Sequence, residues 1–540
     1  MEETKMSKKA ANKKEKVLSL SDVLWSCRNA LRGVGSTEKN RDAVIGLTFL
    51  KFASNKFEKR RKEIIEQYGD IPVFLEKDSF YRSENVFYLP EETRWSYIKE
   101  NASKDGIATI LDTAMKDLED RNPPLAGALL SNNFYTTLGA TKASLKTLID
   151  EIDKLNPESY PEEEDLIGRV YEYFLQAYAV AAKKEDGEFY TPSCIVKLIA
   201  ELIEPFDGTV YDPCCGSGGM FVQSLKFVDE HKGNRKKISI LGQESNPDTW
   251  RLCKMNLAIR GIAHDLGAKN GSTFTDDQHK DKTVNYIMAN PPFNLKNWRE
   301  EDELINDPRW SGYTVPRVSN ANYAWILHML SKLDVNNGIA GFLLANGALN
   351  DEDEFENRKK LIENDKIEAI IVLPRDMFYT TDISVTLWII NNNKKAGTVN
   401  GRKVRDRRNE ILFVDLRTWN KNVETYKLDK GSKKKVILNN DQINDVKKIY
   451  NTWQSEETDG KHYEIPELYR SVSFEEIKEK GFALTPSKYI EFIDHDLDID
   501  YEKEMARIQN EMKEIIAQEE KSQQMLKKAF EGIGYGITKD

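Results

Sequence analysis

The sequence predicts an α/β protein: a doubly wound, largely parallel sheet, preceded by an all-helical N-terminal domain and followed by a C-terminal helical tail. Three observations carry this. Helical apolar spacing without alternation runs as far as Lys183, short apolar runs alternate with amphipathic stretches after Gly187, and a heptad-like apolar stripe starts at Tyr501. The 540 residues exceed what one hydrophobic core organises. With 39% hydrophobic and 31% charged residues, the composition is globular rather than disordered.

The elements follow in order. Residues 1–16 read as a basic, disordered arm. Residues 17–160 read as the helical domain. Ser21 and Asp22 are placed to cap a first helix bearing Val23, Leu24, Cys27 and Leu31, with Gly33 to stop it. A second helix carries Val44, Ile45, Phe49, Phe52, Ala53 and Phe57, and further helices fit residues 107–118 and 141–155. Residues 161–420 read as the sheet domain. It opens on a helix started by Pro161, with acids in its first turn. Its strands are TVYD (209–212), ISILGQE (238–244), VNYIMAN (284–290), IAGFLLA (339–345), IEAIIVLP (367–374), VTLWII (385–390) and ILFVDL (411–416), with helices such as 193–204 and 323–333 between them. Residues 421–498 read as a C-terminal extension. Residues 499–540 read as a long helix whose stripe of Tyr501, Met505, Ile508, Met512 and Ile515 needs a partner face.

Composition excludes several functions. A net charge of −10 argues against a chain that wraps nucleic acid unaided, although KGNRKK (232–237), RKVRDRR (402–408) and KGSKKK (430–435) are local basic patches. The five cysteines are odd in number and lack zinc-ligand spacing, so no metal is expected. No apolar run reaches membrane-spanning length and the first residues hold no signal-peptide core, so the expectation is a cytoplasmic protein with no membrane partner.

In a doubly wound sheet, ligands bind at the carboxyl ends of the strands, and the unusual residues fall there. VYDPCCGSGGM (210–220) is a strand, a tight turn and a helix start. Its glycines miss the dinucleotide spacing, and Asp212 is wrong for a phosphate but suits a cationic, amine-bearing ligand. Glu244 ends the next strand, where a carboxylate can accept both hydroxyls of a ribose. An adenosine with a cationic tail is S-adenosylmethionine. NPPF (290–293) ends a third strand. Its prolines fix the backbone, so the Asn290 amide and Pro291 carbonyl project acceptors to one point while Phe293 can stack on a flat ring. That combination fits the amino group of adenine.

GEFYTP (187–192), DPCCGSGGM (212–220), Glu244 and NPPF, in that order, resemble the gamma-class N6-adenine DNA methyltransferases. LRGVG (31–35), IGLTFLKFAS (45–54), DLIGRVYEYFL (165–175), ANYAWILHML (321–330) and VLPRDMFYTTDIS (372–384) narrow the resemblance to the modification subunit of type I restriction–modification systems, over roughly residues 18–394, with LTPSKYI (484–490) beyond. The resemblance implies a Rossmann-like methyltransferase sheet. It implies that Glu188, Phe189, Tyr190, Thr191, Pro192 and Ser193 close over S-adenosylmethionine, that Asp212, Gly216, Ser217, Gly218 and Gly219 hold its methionine part, and that Glu244 holds its ribose. Asn290, Pro291, Pro292 and Phe293 would form the catalytic adenine pocket. Ser272 in NGSTF (270–274) departs from the acid or amide that relatives place there.

The implied partners are double-stranded DNA, a specificity subunit shared by two modification subunits, and a restriction subunit that adds ATP-driven cleavage. No Walker-type loop is present, so motor activity belongs to another chain. The N-terminal domain and the last helix are the candidate partner and DNA contacts. The rival readings are an amine or amide methyltransferase acting on RNA or protein, a non-catalytic scaffold of the same fold, and a methyltransferase carrying its own recognition domain.

Overall fold

The computed structural model describes residues 20–130, 133–155, 173, 191–378, 382–428, 431–493 and 501–532. The basic arm, all but Tyr173 of the helix begun at Pro161, and Glu188, Phe189 and Tyr190 lie outside the described residues. The chain forms two compact units, Met1–Ile490 and Glu491–Asp540.

Among the described residues no strand precedes Gly208. Helix α1 (Leu20–Ala30) takes Ser21 and Asp22 into its first turn instead of using them as caps, and it ends ahead of Gly33, whose φ is +80°. Helix α2 (Thr37–Tyr68) is capped by Ser36, which accepts from the Lys39 N–H, and closed by Gly69 at φ +85°. With α3 (Ile107–Arg121) and α4 (Lys142–Asp153) it encloses a core that includes Leu24, Cys27, Phe49, Phe57, Leu111 and Leu148. Leu252, Met255 and Ile259, from the helix that follows the second strand, complete that core. The helical domain is therefore packed directly against the sheet domain.

Nine strands make the central sheet. They are β1 (Gly208–Asp212), β2 (Ile238–Gly242), β3 (Tyr286–Ala289), β4 (Ile339–Ala345), β5 (Ile367–Val372), β6 (Val385–Asn391), β9 (Glu410–Asp415), β12 (Glu464–Ile465) and β13 (Tyr469–Ser473), in the order β12-β13-β9-β5-β6-β4-β3-β1-β2. The strands β7 (Gly397–Val399) and β8 (Arg402–Val404) pair with each other, as do β10 (Val423–Leu428) and β11 (Gly431–Val436). Strands β2, β1, β3 and β4 are mutually parallel, and the Leu241–Asp265 bridge prolongs that pattern at the β2 edge. Strand β6 runs antiparallel between β4 and β5. The chain returns from β5 to β6 without a described crossover helix, so the two strands pair in hairpin fashion. The sheet is thus mixed where the sequence suggested a largely parallel one. Residues 464–473, within the segment read as a C-terminal extension, supply its last two strands.

Helices α5 (Ser193–Ile203), α6 (Gly219–Glu230), α7 (Pro247–Ile259), α8 (Asn322–Lys332) and α9 (Asn440–Gln454) cover the sheet. Strands β5 and β6 are buried along their whole length. That is why their sequences do not alternate and are mainly apolar on both faces, with Glu368, Thr386 and Asn391 buried among them. In the second unit, Tyr501–Gly532 is one 32-residue helix.

A site at the switch point of the sheet

The chain leaves β1 for β2 on one side and later returns to β3 on the other. This reversal opens a crevice at the carboxyl ends of β1 and β3. Register sets which residues meet there. Asp212 pairs with Gly242, and Tyr211 with Ile287. Glu244 and Asn290 therefore stand equally far beyond Asp212, one on either side of β1, about 10 Å apart at two strand spacings.

Asp212 is buried, and its Oδ1 accepts from the Cys214 N–H at 3.0 Å. Burial, reinforced by the charge of Glu244, pushes its carboxyl up to about 7, against the pull of the Cys214 donors. The Cys214 thiol donates back to Asp212 Oδ1 at 3.6 Å. Glu244 accepts from the Gly216 N–H at 3.0 Å on Oε2, and from the Asn246 N–H at 2.8 Å and the Ser245 hydroxyl at 3.4 Å on Oε1, which leaves a lone pair on Oε2 for a ligand. Burial raises its carboxyl above the ordinary value.

The Gly-rich turn is held from outside. Gly218 has φ +82°, and a Cβ there would lie 2.9 Å from Cys253 Sγ, so neither the backbone nor the space admits a side chain. Asn256, on α7, donates to the Ser217 carbonyl at 2.7 Å. The turn delivers Gly219 as the first residue of α6, placing a helix N-terminus beside the crevice. NGSTF lies along the same edge. The Gly271 N–H donates to the Glu244 carbonyl at 2.9 Å, Thr273 Oγ1 donates to the Pro213 carbonyl, and Ser272 Oγ accepts from the Phe274 and Thr275 N–H groups. Ser272 is thus engaged in shaping its own turn.

On the other side, Asn290 Nδ2 donates to Thr191 Oγ1 at 2.8 Å, while Asn290 Oδ1 is buried without a partner among the described residues. Pro291 is buried, and Phe293 meets Phe378 edge-on at 6.0 Å. The turn after NPPF is clamped to the start of α8. The Asn294 N–H donates to Asn322 Oδ1 at 3.1 Å, and Asn322 Nδ2 donates back to Asn294 Oδ1 at 2.9 Å. Thr191 precedes Pro192, whose carbonyl accepts from the Ile195 and Val196 N–H groups, and Ser193 opens α5.

Of the residues singled out in the sequence, Thr191, Pro192, Asp212, Gly216, Ser217, Gly218, Gly219, Glu244, Asn290, Pro291, Pro292 and Phe293 fall on these strand ends and their turns, with Ser193 one residue behind. Asn256, Thr273 and Asn322 were missed. Each acts by holding a turn across a long sequence separation; Thr273 and Asn322 lie within the quoted NGSTF and ANYAWILHML stretches, while nothing local marks Asn256. Among the described residues, no cluster of His, Cys, Asp and Glu is arranged for a metal ion, and no helix is long and apolar enough to cross a membrane.

The donor set fits a cationic nucleoside cofactor: a buried carboxylate beside a helix start, a second carboxylate with accepting capacity left on Oε2 past the neighbouring strand, and an unsatisfied amide oxygen opposite. Fold and site define an S-adenosylmethionine-dependent methyltransferase of amino groups. The family model described as N-6 DNA Methylase matches residues 162–497, and the HsdM N-terminal domain matches residues 20–155. The type I restriction enzyme HindI methylase subunit of Haemophilus influenzae is 36% identical over 467 residues, covering 83% of this chain and 100% of that protein. The MjaIX methylase subunit of Methanocaldococcus jannaschii is 32% identical over 529 residues, covering 95% and 91%. The crystal structure of the type I restriction-modification methyltransferase subunit from Streptococcus thermophilus shares the fold, with a TM-score of 0.69 at 22% identity, over 88% of this chain and 100% of that one. The chain belongs to the N-6 DNA methylase family, among the methylase subunits of type I restriction enzymes. It is an S-adenosylmethionine-dependent adenine N6-methyltransferase that works as part of a multisubunit complex.

Proposed function

We propose that Asn290 and Pro291 grip the exocyclic amine of an adenine extruded from double-stranded DNA, with the methyl donor held beside it by Asp212, the 216–219 turn and Glu244. The observation that carries this reading is the buried, unpartnered Asn290 Oδ1 where β3 stops next to β1.

The adenine amine is a poor nucleophile because its lone pair is delocalised into the ring. Asn290 Oδ1 and the Pro291 carbonyl accept its two N–H hydrogens and localise the lone pair as the nitrogen pyramidalises. Both acceptors therefore stabilise the transition state more than the ground state. S-adenosylmethionine supplies the methyl as a sulfonium electrophile. Phe293 stacks on the ring of the base, which must leave the duplex to reach the strand ends. No protein nucleophile is required. Burial and the neighbouring Asp212 and Glu244 hold the Cys214 thiol well above the ordinary thiol range, so it stays protonated at neutral pH.

The chain acts in the cytoplasm beside a specificity subunit that reads the target sequence. Two modification subunits join each specificity subunit, and a restriction subunit provides cleavage. The net charge of −10 supports this division, because sequence readout through phosphate-anchored contacts belongs on a more basic surface. The test is Asn290→Ala in the full chain, with labelled cofactor and unmethylated genomic DNA. Methyl transfer falls by two orders of magnitude or more, of the order seen when one transition-state hydrogen bond is lost, while cofactor affinity measured by calorimetry stays within about twofold. Parallel loss of cofactor binding would reject the role given to Asn290.

A further inference from the structure

We propose that Thr191 is a positioning residue that sets which end of the Asn290 amide faces the adenine; this rests on the reading of Asn290 above. A primary amide is nearly symmetric in shape but opposite in chemistry at its two ends. Only the oxygen can accept an amine hydrogen, and the –NH2 end would meet the substrate donor to donor.

In this structure the nitrogen is turned to Thr191 Oγ1, 2.8 Å away, and the oxygen is left buried without a partner. The reverse orientation would let the Thr191 hydroxyl donate to Oδ1, but it would bury an –NH2 with two unpaired donors. The observed orientation leaves one N–H and the oxygen without a partner, the reverse leaves both N–H donors so, and only in the observed one can an incoming amine meet the oxygen. A hydroxyl at this position therefore favours the catalytically useful orientation before the base arrives.

Thr191 is well placed to do this. It sits directly before Pro192, which restricts its backbone, and the Pro192 carbonyl is tied into the first turn of α5 by the Ile195 and Val196 N–H groups. In the sequence, Thr191 grouped with residues expected to close over the cofactor. Its hydroxyl meets the Asn290 amide. It is held there from a different element, α5, 99 residues away in the chain.

The experiment compares Thr191→Val, Thr191→Ser and Asn290→Ala in the full chain, assembled with its native partners, with genomic DNA and labelled cofactor. Thr191→Val removes the acceptor and keeps the shape. It lowers the single-turnover methylation rate about tenfold, the population shift expected from one lost hydrogen bond, and leaves the dissociation constant for S-adenosylmethionine within about twofold. Thr191→Ser restores the hydroxyl and brings the rate back to within about twofold of the parent. An Asn290→Asp background removes the need for orientation, since a carboxylate has no wrong end. Thr191→Val then costs less than about twofold. If Asn290→Asp turns over too slowly to measure, the Val–Ser comparison decides alone. A parental rate in Thr191→Val, a failure of Ser to rescue, a loss of cofactor affinity matching the loss of rate, or the full tenfold cost persisting with Asp at 290 would each overturn the inference. Asn290→Ala separates the two levels. If it remains active, the role of Asn290 fails; if it is inactive while Thr191→Val is unaffected, only the role of Thr191 fails.

Discussion

Asp212 carries a cost in the free protein that its ligand can relieve. Folding removes its carboxyl from water and lifts it to about 7, so between its unfolded value near 4 and pH 7 the folded state holds the extra proton. By linkage, stability then falls as pH rises through that window, the reverse of a salt-bridged aspartate. A cationic ligand reverses the preference by favouring the carboxylate. Binding S-adenosylmethionine should therefore release protons near pH 6–7, and affinity should rise from pH 6 to pH 8. Calorimetry in buffers of different ionisation enthalpy reads both quantities. Asp212→Asn should flatten the pH dependence, and a parental slope in that variant would assign it to Glu244, which burial also raises. Gly218 is constrained differently. At φ +82° with Cys253 Sγ 2.9 Å from any Cβ, Gly218→Ala should lower stability by about 1–3 kcal/mol and weaken cofactor binding through the displaced turn. A melt with and without cofactor checks it, and an unchanged midpoint would show that the turn can move.

At the scale of elements, the sequence and the structure agree where information is local. The seven apolar runs are seven strands of the sheet, and DPCCGSGG and NPPF stand at strand ends as their turn chemistry required. What could not be read is held by contacts between distant segments. RKVRDRR read as a local basic patch. Yet Arg407 is buried, and its Nε donates at 2.8 Å to Glu368, itself fully buried on β5 where the β5–β6 register slips. Asn391 of β6 and Tyr450 and Gln454 of α9 donate to the same carboxylate, so one glutamate ties two strands, a loop and a helix. Its partner lies 39 residues along the chain, beyond any local pattern. Arg407→Ala should cost about 3–5 kcal/mol, because it strands a buried carboxylate. The arginine holds the Glu368 carboxyl below its usual value, so this stabilisation is present above the unfolded glutamate pKa and is lost as pH falls. Chemical denaturation at pH 7.5 and pH 4 reads the difference, and a loss under 1 kcal/mol at pH 7.5 would show that solvent reaches Glu368. The strands β12 and β13 were illegible for a related reason. They are short and polar, and they become strands only because β9 offers a free edge.

At the scale of the whole molecule, the chain divides into Met1–Ile490 and Glu491–Asp540, and the second unit is the candidate for assembly proposed from its apolar stripe. The first unit contains every strand of the sheet and all the described site residues, and its last turn is anchored. Tyr489 and Ile490 are buried, Tyr489 stacks on Phe413 at 4.5 Å, and its hydroxyl donates to the Ala483 carbonyl. A chain ending at Ile490 should therefore keep its core. The second unit offers one helix with Met505, Ile508, Met512 and Ile515 at alternating spacings of three and four. An apolar stripe of that kind on a 32-residue helix is stable in water chiefly against another apolar face. Under the proposed function, the specificity subunit is the partner to test against this stripe. Removing Glu491–Asp540 should leave the melting temperature within about 3 °C and the cofactor affinity within about twofold, because it removes no buried residue among those described. Co-purification with the specificity subunit should fall at least tenfold, and methylation of target DNA should fall with it. Replacing Ile508, Met512 and Ile515 with Lys in the full-length chain should reproduce the loss of assembly while keeping the helix, since Lys is a good helix former that abolishes only the apolar face. Undiminished co-purification in both variants would move the assembly contact to the N-terminal helices, whose shared core with α7 would then connect partner binding to the segment after β2 that carries Glu244.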